Sequence, residues 1–184
     1  MQINILQNKL VFGAEYQITV DNEERYVAKQ KAFSFKTGLQ LIEKSTGQIK
    51  FEIKKGGGWF KLKYNLIKEP NQVLELKRIG GWKGYFECLV NEDVYELHAH
   101  KGRKYSVFKN SNQMAWWDKN AVSWFGGDRY KIIADSNADI ELLISFCLAI
   151  DVKSGGSEGS ALTYDFGHIG STSKKFDRSW RPKY

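Results

Sequence analysis

The run Asp139-Ile-Glu-Leu-Leu-Ile-Ser-Phe-Cys-Leu-Ala-Ile-Asp-Val152 is apolar almost all the way round. Between Leu142 and Ile150 only Ser145 and Cys147 carry a polar side-chain atom, so a helix here has no wet face and must be enclosed by lipid or by protein. Its length separates the two. About fourteen residues at 1.5 Å each reach roughly 21 Å, short of the ~30 Å hydrocarbon core that takes about twenty apolar residues to cross. Glu141 and Asp151 place charge at both ends. A protein wrapping is therefore expected, with the helix spanning 137–152. The preceding Ser136-Asn-Ala-Asp139 has the S-x-x-D spacing of a helix start, in which the serine hydroxyl caps a free amide.

What lies upstream has the period of strands. In Gln48 to Lys54, Ile49, Phe51 and Ile53 point one way and Lys50, Glu52 and Lys54 the other; Trp59 to Leu66 repeats the alternation. Turn signals begin at Asp21, Ser45, Glu69, Asn91 and Asn110, a spacing suited to strand-turn-strand units. The strands predicted are 15–20, 25–30, 39–43, 48–54, 59–67, 72–79, 84–90, 94–100, 104–109, 113–118, 121–125 and 128–134. A meander of this length must curl into a barrel or split into two sheets. The expected fold is mainly β, a twelve-stranded antiparallel barrel closed around a central hydrophobic C-terminal helix. A barrel filled by its own helix has no room for a ligand in the middle.

With 184 residues the chain is expected to form one domain over 1–152, followed by a Gly/Ser-rich, flexible tail over 153–184 that ends in basic and aromatic residues. Two cysteines, Cys88 and Cys147, make no disulfide framework and suit a reducing compartment. The N-terminal stretch lacks the basic n-region of a signal peptide, and a cytoplasmic protein, in place or peripheral at a membrane, is expected. The formal charge is +7, of which the tail from Lys153 onward carries +3 and the body +4. That excess favours polyanions in general but is too thinly spread for a dedicated nucleic-acid binder, and no specific nucleic-acid partner is expected.

The order of parts resembles the tubby C-terminal-like superfamily and, within it, the LURP-one-related proteins. The stretches Tyr26-Val-Ala-Lys-Gln, Leu39-Gln-Leu-Ile-Glu-Lys-Ser-Thr-Gly-Gln-Ile and Asp139 to Val152 resemble the first hairpins and the plug of that family, over residues 3 to 152. The resemblance implies twelve antiparallel strands around a central helix. Tubby proteins bind phosphoinositides through basic side chains on the barrel surface, so the function expected first is a non-catalytic cytoplasmic adaptor that binds anionic phospholipid through surface lysines, with a protein-interaction module as the alternative. The chain departs from the family pattern in continuing for about thirty residues beyond the helix.

Candidate chemistry is sparse. Glu96-Leu-His98-Ala-His100 puts a carboxylate and two imidazoles on one face of a strand, a weak metal motif. With Tyr95, Leu97 and Ala99 as the apolar set, the histidines are expected on the wet outer face, and no metal or cofactor is expected. Cys147 lies inside the apolar helix, Cys88 has no neighbouring base in sequence, and no serine sits in G-x-S-x-G, so no enzyme is expected.

Two surfaces remain. Lys61, Lys63, Lys77 and Lys83 with Trp59 and Trp82 surround two glycine loops, a pairing of charge and indole suited to an anionic phospholipid surface. Trp116 and Trp117 are consecutive in a strand, so one of them faces outward and is partly exposed unless a bulge or the tail covers it. With Trp180 and Arg181 of the tail they form the candidate surface for a protein partner, without a lipid role.

Overall fold

The computed structural model describes residues 1–10, 13–30, 38–56, 62–68, 70–80, 85–120, 128–152 and 174–183. Twelve strands occur among them: β1 (Gln2–Leu10), β2 (Gly13–Val20), β3 (Glu23–Gln30), β4 (Gly38–Glu43), β5 (Ile49–Lys55), β6 (Lys63–Lys68), β7 (Gln72–Ile79), β8 (Tyr85–Val90), β9 (Asp93–His100), β10 (Lys104–Lys109), β11 (Asn112–Asn120) and β12 (Arg129–Ala134). Each pairs antiparallel with its neighbours in sequence, and β12 returns to β1 with Ile5 opposite Tyr130, closing the barrel. Closure leaves no unpaired sheet edge.

Period-2 alternation drives the wall. Ile3 and Ile5, Tyr16 and Ile18, Phe51 and Ile53, Tyr64 and Leu66, and Leu74 and Leu76 are all buried on the inner face. The helix α1 (Ile140–Val152) supplies what they pack against. Every residue from Leu142 to Ala149 is buried. Its contacts come from strands spread around the ring: Tyr26 Oη of β3 donates to Glu141 at 3.3 Å, the ring of Tyr95 in β9 meets that of Phe146 at 5.8 Å, and Tyr16 of β2 and Tyr130 of β12 donate to Asp151. A helix touched from opposite sides of a closed ring occupies its lumen. The hydroxyl of the helix itself, Ser145, donates back to the Glu141 carbonyl at 2.8 Å and needs no outside partner.

Three details differ from the sequence reading. Strand β1 was not expected; its Ile3 and Ile5 alternate inward as elsewhere, and it closes the barrel by pairing with both β2 and β12. The strand expected at 121–125 lies outside the described residues, as do positions 59–61 of the strand expected over 59–67. The helix begins at Ile140 rather than 137, because its cap is Asp139: that carboxylate accepts the Leu142 amide at 3.0 Å, while Ser136 gives its own amide to the Lys183 carbonyl instead.

The two rims differ. At the helix N-terminal rim, tight turns join the strands, with Asp21 and Asn22 at φ 47° and 72° and Asn110 and Ser111 at 48° and 67°, the left-handed pair of a type I′ hairpin. At the other rim Asp151 ends the helix. Residues 174–183 of the tail lie against the outside of the wall formed by β9, β10 and β11 and reach Asp135, just ahead of the helix.

Candidate functional site

The antiparallel register sets the outer face of this wall. His98 lies opposite Ser106, and Ser106 opposite Trp116, so one cross-strand row carries an imidazole, a hydroxyl and an indole. The flanking rows hold Glu96 beside Phe108 and His100 beside Lys104. Large aromatic residues on the solvent side of a barrel require a cover, and the tail provides it.

Lys174 anchors the upper end. Its main-chain N–H donates to His98 Nδ1 at 3.2 Å, its ammonium pairs with Glu96, and the same ammonium sits 4.2 Å from the centre of the Phe108 ring. Phe176 then lies 5.2 Å from the His100 ring and meets Trp116 edge-on at 5.8 Å, with Lys104 Nζ 5.6 Å from its centre. Asp177 Oδ1 accepts both the amide and the hydroxyl of Ser179, at 2.8 and 2.6 Å, and turns the chain. Trp180 Nε1 donates to the Gln113 carbonyl at 3.1 Å. Lys183 closes the lower end, its amide on Asp135 Oδ1 at 2.6 Å and its carbonyl taking the Ser136 amide at 3.0 Å.

The cover corrects the expectation of two exposed histidines. His98 is 1% and His100 7% exposed, enclosed by the tail together with Tyr85, which stacks on His98 at 4.9 Å, and Phe108, which meets it edge-on at 5.5 Å. His100 Nε2 shares a hydrogen bond with Ser106 Oγ at 2.9 Å. Among the described residues no three His, Cys, Asp or Glu side chains come together in an arrangement that could hold a metal. Glu96, His98 and His100 run in file along one strand, His98 Nδ1 is engaged by the tail, and the Glu96 carboxylate is paired with Lys174.

Residues 1–151 match the family model described as LURP-one-related. The chain belongs to the LURP-one-related family. Its closed twelve-strand barrel around a single C-terminal helix agrees with the tubby-like architecture that the resemblance implied. No curated protein and no solved structure matches the chain. In this LURP-one-related chain the matched region ends at the helix, so the tail segment on the wall lies beyond it.

The consecutive tryptophans divide as alternation requires. Trp117 points inward, 1% exposed and stacked on Tyr105 at 5.0 Å, whereas Trp116 is half-buried on the outer face beneath Phe176. Trp180 joins them through the tail; Arg181 is exposed and spends its guanidinium on the carbonyls of Arg178 and Trp180. Sequence reasoning missed Ser106, Phe108, Gln113 and Asp135. The alternation of Lys104, Ser106 and Phe108 in β10 was the signal available for the first two.

The lysine set is placed only in part. Lys63 and Lys77 face each other across β6 and β7 and share Glu75, whose carboxyl is pulled down to about 2 by hydrogen bonds from first Lys63 and then Lys77. Trp59, Lys61, Trp82 and Lys83 lie outside the described residues. Among the described residues no helix is long and apolar enough to cross a membrane. Both thiols are buried, and burial pushes the Cys88 thiol up to about 12 and that of Cys147 well above its usual value.

His98 makes the tail contact sensitive to acid. Its Nδ1 accepts an amide N–H, so the docked tail requires the neutral ring. Burial lowers its pKa from the ordinary 6.5; Glu96, 3.8 Å away, opposes that shift, and Lys174 adds to it, while Tyr85 faces the ring as a neutral phenol. A base whose pKa is depressed in the docked state contributes fully above 6.5 and loses that contribution as pH falls through the lowered value. Amide exchange at 174–183, corrected for intrinsic rates, should show protection falling below pH 6.5, at most about tenfold per pH unit for one proton. His98→Phe should remove that dependence; an unchanged profile would exclude His98 as its source.

Proposed function

We propose that this LURP-one-related chain is a non-catalytic binding protein that works through the outside of its barrel, as a protein-interaction module rather than a lipid adaptor. A single observation carries the reading: a ten-residue basic and aromatic segment is already held on the β9–β11 wall by side-chain contacts, with Phe176 against Trp116 and Trp180 on the Gln113 carbonyl. The lumen is given over to α1, which leaves the outer faces for recognition. No nucleophile enters this reading, because the thiols are buried and Ser106 is enclosed.

The alternative is a peripheral adaptor for anionic phospholipid in the cytoplasm. It draws on the juxtaposition of Lys63 and Lys77 across β6 and β7, with Trp59, Lys61, Trp82 and Lys83 close to them in sequence. Glu75 between the two lysines removes part of the charge such a surface needs. Co-sedimentation with phosphatidylcholine vesicles, and with vesicles containing phosphatidylserine or phosphoinositide, at low and physiological salt separates the readings. The expected result is equal, weak binding to all three at physiological salt. Selective retention on anionic vesicles, lost in Lys63→Glu/Lys77→Glu, would overturn the interaction reading in favour of lipid.

A further inference from the structure

The tail segment is held unlike a structural strand. Among the described residues its one main-chain to main-chain bond to the rest of the chain runs from Ser136 to Lys183; the other contacts, with Glu96, His98, His100, Trp116, Gln113 and Asp135, each involve a side chain. A segment docked by side chains can leave without opening the barrel, whose twelve strands are already paired to each other. The segment carries five basic residues and one acidic; the Lys174 ammonium pairs with Glu96 and the Lys183 main-chain N–H donates to the Asp135 carboxylate, so a basic segment meets a carboxylate at each end. The fit is incomplete. His98 is 1% exposed, yet its Nε2 finds no hydrogen-bond partner beneath the tail, and a buried donor left unmade is costly.

We propose that the β9–β11 wall is a docking site for an extended segment of another protein in which a basic residue is followed by aromatic residues at the second and sixth positions, and that residues 174–183 are a resident competitor that keeps it closed. This rests on the interaction reading and names its partner's chemistry. The pattern is the one the wall already reads: Lys174 to Glu96 and Phe108, Phe176 to His100 and Trp116, Trp180 to the Gln113 carbonyl. A foreign segment can prevail where it supplies the acceptor that His98 Nε2 lacks. The tail of a second copy has no such advantage, because an identical segment competes against one already tethered at high effective concentration.

The test uses the full chain carrying Phe176→Ala and Trp180→Ala, which loosens the resident segment, and a fluorescein-labelled peptide with the sequence of residues 172–183. Fluorescence anisotropy should show the peptide binding the double variant at least tenfold more tightly than the native chain, and a peptide bearing the same two alanines should not bind. Adding Glu96→Lys to the double variant should abolish binding, and a Lys174→Glu peptide should restore it. That reciprocal swap is a readout that a misfolded variant cannot produce. Equal affinity for native and variant chains, or no binding to the variant, would overturn the proposal. So would a native dimer in sedimentation that the double variant dissolves, since the occupant would then be the second copy's tail. None of these outcomes depends on vesicle binding, so this proposal and the interaction reading fail separately.

Discussion

Phe146→Ala is expected to cost about 3–5 kcal/mol of stability, the range for removing a fully buried aromatic ring. Phe146 is 0% exposed in the middle of α1 and its ring meets Tyr95 of β9 at 5.8 Å. Leu142, Leu143, Ile144, Leu148 and Ala149 of the same helix are buried as well, so α1 fills the barrel on both sides of that position. The helix is contacted from strands around the ring, β2, β3, β9 and β12 among them, so a void at Phe146 weakens several packed faces together. Urea denaturation followed by tryptophan fluorescence and far-UV circular dichroism should give coincident transitions, shifted to lower midpoint with little change in slope. Separate transitions for the two probes, or a loss below about 1 kcal/mol, would show that the wall stands without its plug.

The helix was legible because its composition is extreme: the run from Leu142 to Ile150 admits no exposed face, and length alone separates lumen from membrane. Strands such as β5 were legible because Phe51 and Ile53 alternate with Lys50, Glu52 and Lys54. Strand β1 was not, although Ile3 and Ile5 follow the same rule, because amides at Gln2, Asn4 and Asn8 fill its outer face and Gln7 interrupts the apolar set on the inner one, a composition that β-propensity reads poorly. The helix start was off by one capping residue: Ser136 and Asp139 both fit the motif, and only the position of the first turn chooses between them.

Apart from Trp116, the covered wall could not be read from local pattern. Its contacts join residues far apart, with 78 positions between Lys174 and Glu96 and 67 between Trp180 and Gln113, and the tail has neither helical nor strand period. Alternation placed Glu96, His98 and His100 correctly on the outside of the barrel, yet outside was not exposed, because burial on that face comes from a segment that follows the helix. Trp116 was the informative residue. An indole forced outward by its neighbour's inward packing signals something laid over it, and Phe176 is what lies there.

Asp151→Ala should be as damaging as the loss of Phe146, for an electrostatic reason. An aspartate at the C-terminal end of a helix faces the negative end of the dipole, so its place there must be secured by donors. Tyr16 Oη donates at 2.8 Å, Lys119 Nζ at 2.9 Å, and Tyr130 Oη makes a further close bond; Lys119 also pairs with Asp128 at 2.6 Å. These residues belong to β2, β11 and β12, so the carboxylate ties the end of α1 to the seam where the barrel closes. Removing it leaves two buried phenols without an acceptor and a largely buried ammonium with Asp128 alone, a loss expected at about 3–5 kcal/mol. Asp151→Asn, which keeps an acceptor oxygen, should cost less, about 1–3 kcal/mol. The pH profile supplies an independent signature. Burial, and after it the Asp151 carboxylate, hold both phenols protonated well above their ordinary 10; burial acts to lower Lys119, and Asp151 and Asp128 together more than offset it. Groups whose pKa is raised on folding stabilise fully below their ordinary values and lose that contribution as pH rises past them, so native stability should decline from about pH 10 upward. In Asp151→Asn that decline should be shallower. An alkaline profile identical to the native chain's would mean that the cluster is a passive neighbour of the helix end rather than its anchor.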